Sequence, residues 1–179
     1  MDVGMNAVWE SVIETRVRDK TLGNRLSLFS NMILVAKNSD YRGREKIILD
    51  LIRKSSETGS FRNTAEIISL EAFNEIVQKF PKNSRGNHVV PKISKKLFRH
   101  EHIIPCKHLK NYILKNKLEQ NQIKDLLLKN GVRAIITIEE DYNLPKMDMP
   151  EKWAFGHNPF KRYSENGIMV LEKPGYIKP

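Results

Sequence analysis

Glu101 and His102 stand at the head of a short run, Glu101-His102-Ile103-Ile104-Pro105, inside a stretch of strong positive charge. Residues 82–117 hold ten lysines and arginines and a single acid, Glu101, so this window carries +9 of the chain's net +10. Four of the five histidines, His88, His100, His102 and His108, lie in the same window. A lone carboxylate so placed is either a salt-bridge partner or a metal ligand. The chemistry that suits such a set is phosphodiester hydrolysis. It needs a base to activate water, an electrophile for the developing oxyanion charge, and a group to stabilise the leaving oxygen. A neutral histidine can be the base near neutral pH. A hard cation on a carboxylate and an amide or second carboxylate can supply the rest, while lysines and arginines hold the backbone.

The elements that must position these residues follow from periodicity and punctuation. As a strand, residues 100–104 would alternate faces, with His102 and Ile104 one way and Glu101 and Ile103 the other. A twist or a bend at the strand end would be needed to bring Glu101 and His102 to one ion. Further β-prone runs are 88–90 and 132–138. Residues 109–129 have helical spacing (Ile113, Leu114, Leu118, Ile123, Leu126, Leu127), stopped by Asn130-Gly131. Residues 1–80 read as helices at 6–20, 22–36 and 44–54, and again from 70 to 80, where Ser69 is the N-cap and Pro81 the stop. In the tail, Asn158-Pro159 and Asn166-Gly167 bracket a short helix over 159–165.

Glu101-His102-Ile103-Ile104-Pro105 resembles the opening motif of the HNH, or ββα-metal (His-Me finger), endonucleases. The layout of that family continues with a second strand ending near a threonine and a short helix. Ala134-Ile135-Ile136-Thr137-Ile138 followed by Glu139-Glu140-Asp141-Tyr142-Asn143-Leu144 is similar to it. The resemblance covers residues 98–145. It implies His102 as general base, Glu101 as metal ligand, and Asn143 as the third motif residue, with Asp141 a rival ligand. It also implies one Mg²⁺ or Mn²⁺. Residues 106–133 between the strands then form a helical insertion, and His157 and Asn158 are further contributors from the tail. Lys92, Lys95, Lys96, Arg99, His100, Lys107 and Lys110 are the expected phosphate contacts.

The expected fold is α+β: a helical region over 1–80 for dimerisation or target reading, then a ββα-metal nuclease core over 81–179 with a helical insertion. The single cysteine, Cys106, excludes an intramolecular disulfide and a cysteine-pair zinc site, so no structural zinc is expected. No apolar run approaches the length of a membrane span. The opening Met1-Asp2-Val3-Gly4 has neither a basic leader nor an apolar core, which predicts a soluble cytoplasmic protein. The pI of about 9.7 makes a polyanion the first partner to consider. The reading is thus a metal-dependent DNA endonuclease, of a kind suited to restriction or defence, acting on double-stranded DNA. A palindromic target would imply a homodimer. The alternatives are a non-catalytic nucleic-acid-binding protein, in which Glu101 is a salt-bridge partner, and an RNase using the same site.

Overall fold

The computed structural model describes residues 2–57, 65–90, 96–145 and 148–178. The N-terminal helices arise where the periodicity places them: α1 (Asp2–Arg18), α2 (Lys20–Lys37) and α3 (Arg44–Ser56). Asp19 divides the first two. Its backbone is extended, and its carboxylate accepts from the Leu22 amide at 3.0 Å, as an N-cap should.

Residues 1–80 are not wholly helical. β1 (Ile67–Ser69) precedes α4 (Leu70–Lys79), with the Ser69 hydroxyl accepting from the Ala72 amide as the predicted cap. β2 (His88–Val89), β3 (Phe98–His102) and β4 (Arg133–Thr137) fall on the three expected runs within two residues. The region expected as one helix over 109–129 is two, α5 (Cys106–Lys115) and α6 (Gln120–Asn130). The break has local and tertiary causes. Asn116 folds its amide back onto the Tyr112 carbonyl at 2.7 Å, and Glu119 and Gln122 form a capping box that starts α6. Lys37 of α2 donates to the Asn116 carbonyl at 2.6 Å and holds the break against the bundle. After α7 (Ile138–Asn143), the tail supplies α8 (Lys161–Ser164), β5 (Val170–Glu172) and β6 (Ile177–Lys178).

The main sheet runs β3-β4-β1-β5. β3 and β4 are antiparallel, with Glu101 opposite Ala134 and His102 opposite Arg133. β4 is parallel to β1, and β1 is antiparallel to β5. The sheet therefore draws its inner strand β1 from the first 80 residues. All three β1 residues are buried, so the strand shows no polar alternation by which to find it.

Side chains opposite one another across the ladder share a face, and successive residues alternate. One face carries Phe98, Ile135 and Ile68 under α4, in a core with Ala72 and Ile76. The other carries Ala134, Ile136, Ile67 and Val170 against α1 and the tail residues Phe160 and Tyr163. A third cluster joins α2, α3, α5 and α6 through Leu26, Ile33, Ile48, Ile52, Leu109 and Leu127. Arg16 of α1 links these layers: it is 3% exposed, pairs with Glu66 and donates to the Leu128 carbonyl at 2.8 Å. Among the described residues no helix is long and apolar enough to cross a membrane.

Candidate functional site

β3 brings the predicted histidine and carboxylate to the same strand end but to opposite faces. Phe98, His100 and His102 share the α4 side; Arg99 and Glu101 share the α1 side. The chain bends only past the strand, at Ile103 and Ile104, and the ladder alternates regularly through His102. Beyond β3 the chain stays against the core, with Ile103 bonded to the Val132 carbonyl and buried, and α5 starts at Cys106.

On the α1 side, Glu101 Oε1 accepts from Arg162 Nη2 at 3.0 Å. Arg162 of α8 is fully buried. The same nitrogen donates to the His102 carbonyl at 2.6 Å, and Nη1 donates to the Pro145 carbonyl at 2.6 Å. The guanidinium thus ties the end of β3, the segment after α7 and the tail into one knot. Asp141 lies 3.9 Å from Arg99 Nε, and Asn143 is an exposed residue at the end of α7. The proposed base and the proposed metal carboxylate therefore lie on opposite faces of β3. Glu101 and Asp141 each face an arginine, and His102 faces away from both. Glu101 already has a buried cationic partner in Arg162. Among the described residues no three His, Cys, Asp or Glu side chains gather closely enough to hold an ion.

On the α4 side, a different set comes together. His102 Nε2 lies 2.6 Å from the Ser56 hydroxyl at the end of α3, and that hydroxyl lies 2.7 Å from the Arg53 carbonyl. A hydroxyl has one proton. Both contacts are hydrogen bonds only if Nε2–H donates to Ser56 and Ser56 donates to the carbonyl. This leaves His102 Nδ1 with the lone pair. Burial, reinforced by Arg133, Arg53 and Arg162, pushes the His102 pKa down to about 3, so the ring is neutral. Burial, with Arg133 and Lys173, lowers His100 to about 4. Arg133, opposite His102 on β4, is a cation at this end of the face.

The remaining expected contacts are dispersed. Lys96 is exposed before β3, and Lys107 is half-buried on α5. Lys110 donates to Glu45 at 2.6 Å. Lys92 and Lys95 lie outside the described residues. His157 is exposed and accepts from the Ala154 amide, while the Asn158 side chain accepts from the Phe160 amide at 2.9 Å and shapes the turn before α8. His88 is buried, with Nδ1 against the Phe80 carbonyl. Cys106 packs in the core, and burial raises its thiol to about 12.

Sequence reasoning missed Ser56, Arg133 and the pairing of Arg162 with Glu101. The first two become visible only once register and helix ends are known. Glu140 had a readable signal, the Thr137-x-x-Glu140 capping box. Its carboxylate accepts from the Thr137 amide at 2.8 Å and from the Ser69 hydroxyl at 2.6 Å, joining α7 to the start of α4. The chain matches no protein-family model, no curated protein and no solved structure.

Proposed function

We propose that this chain acts on nucleic-acid phosphodiesters, double-stranded DNA first, with His102 as the base that takes a proton from water. The observation that carries this reading is the His102–Ser56–Arg53 chain, which holds a neutral imidazole in one tautomer with Nδ1 as its acceptor, beside Arg133. The pKa near 3 makes the free ring a weak base, but it also keeps the ring unprotonated through the neutral range. An anionic phosphodiester beside it would raise its basicity when substrate is present. The order of two antiparallel strands followed by a short helix supports the resemblance to ββα-metal nucleases, and restriction or defence is the role that reading suggests. The placement of Glu101 on Arg162 favours a second reading, binding without cleavage.

Plasmid DNA and a matching RNA transcript, each incubated with Mg²⁺, Mn²⁺ or EDTA, test both readings. Cutting that His102→Ala abolishes while binding persists is the expected result. Salt-sensitive binding with no cutting under any condition would establish the second reading. Cutting unchanged in His102→Ala would remove His102 from the chemistry.

A further inference from the structure

We infer that the end of the sheet formed by His100, His102 and Arg133 is a seat for one phosphate group of a nucleic-acid backbone, gripped by the terminal nitrogens of Arg133. This rests on the reading of the chain as acting on nucleic-acid phosphodiesters. It names the cationic group that meets the phosphate on the His102 side.

Three observations place the seat. The first is register: Arg133 stands directly opposite His102 on the antiparallel ladder, and His100 is two residues along on the same face. The second is an unanswered cation. Arg133 is half-buried, its Nε is enclosed without a hydrogen bond, and its guanidinium forms no ion pair among the described residues. Removing a guanidinium from water without an acceptor is costly, and its fork fits two phosphate oxygens. One neighbouring carboxylate is already committed: Glu66 pairs with Arg16 and accepts from the Arg133 backbone amide. The third is a second enclosed atom, His100 Nδ1, which also lacks a partner. Charge around the seat favours an anion. Arg53 lies on the same side; the carboxylates acting on Arg133 are the exposed Glu57 first, then Glu66 and Glu101, which are paired with Arg16 and Arg162.

The test is fluorescence anisotropy of a labelled duplex oligonucleotide with the full chain across a salt series, with cutting followed in the same samples. Arg133→Gln should weaken binding by about tenfold or more, the loss of a charge-assisted pair. It should also lower the log–log salt slope by about 0.9, the loss of one phosphate contact. Lys115→Gln, which removes the same charge from the exposed end of α5, should change affinity far less. Glu57→Gln should tighten binding. Equal effects of Arg133→Gln and Lys115→Gln, with the Arg133→Gln melt still cooperative, would overturn the seat. Should Arg133→Gln fail to fold, Glu57→Gln decides alone: no gain in affinity overturns the proposal. Binding that depends on Arg133 in a wild-type chain that cuts nothing leaves the seat standing and removes hydrolysis. Cutting by wild type and Arg133→Gln alike does the reverse.

Discussion

Arg162 and His102 meet at one strand end under opposite electrostatic demands. Arg162 has no exposure to water, and its terminal nitrogens donate to Glu101 and to the carbonyls of His102 and Pro145. Removing one member of such a pair leaves the other stranded. Arg162→Met should therefore cost about 3–5 kcal/mol, read as a large drop in thermal melting temperature. Glu101→Gln separates two roles for the carboxylate: a lowered melting temperature marks a partner of Arg162, and lost cutting at unchanged melting temperature marks a ligand. His102 and His100 instead keep their place by staying neutral. The unfolded imidazoles take up protons as pH falls through about 6.5, whereas the folded ones do so only near 3 and 4. Their contribution is thus complete above pH 6.5 and is lost as pH falls toward those values. Between pH 6.5 and 5, stability should fall with a limiting slope of about 1.4 kcal/mol per pH unit for each histidine. Denaturant titrations of wild type and a folded His100→Asn variant check this, and an unchanged slope in the variant would refute the assignment for His100. The identities of Glu101 and His102 were legible in the sequence as unusual. Their separation followed from simple alternation, and only the contacts of Arg162 and Ser56 decided which partner each one takes.

At the scale of elements, caps and breaks determine where the site residues lie. α7 is six residues long and contributes no buried side chain, so its formation depends on its start. The Thr137 hydroxyl accepts from the Glu140 amide at 3.1 Å, and Glu140 returns to the Thr137 amide and to Ser69. Thr137→Val keeps the shape and removes the acceptor, and should cost about 1–2 kcal/mol by denaturant unfolding. A loss below the error of that measurement would show that β4 holds the helix without the cap. The α6 stop was also legible, but it works by close approach. At Gly131 an added Cβ would lie 2.6 Å from the Leu127 carbonyl, although the backbone is not left-handed. The division between α5 and α6 was not legible, because Leu118 continues the apolar spacing through it. Propensity and period cannot register the Lys37 contact that stabilises the break.

For the whole molecule, the decisive feature is the position of β1. It lies between β4 and β5 although it precedes them by more than 60 residues, and the helices of the first half complete the cores of the second. A fragment of residues 81–179 should therefore lack a cooperative thermal transition by circular dichroism, since β4 and β5 lose the strand between them and the α1 face is uncovered. A melt like that of the full chain would show that the second half folds alone. The sequence by itself determined the helical N-terminal segments, the α+β class, the β3 and β4 runs, and the concentration of charge around Glu101 and His102. Each of these is local: period, capping residues and composition act within a few turns of chain. The tertiary structure alone decided the strand order, the pairing of Glu101 with Arg162, and the meeting of His102 with Ser56 and Arg133. Those contacts join residues tens of positions apart, and register and burial, which no local pattern encodes, select them.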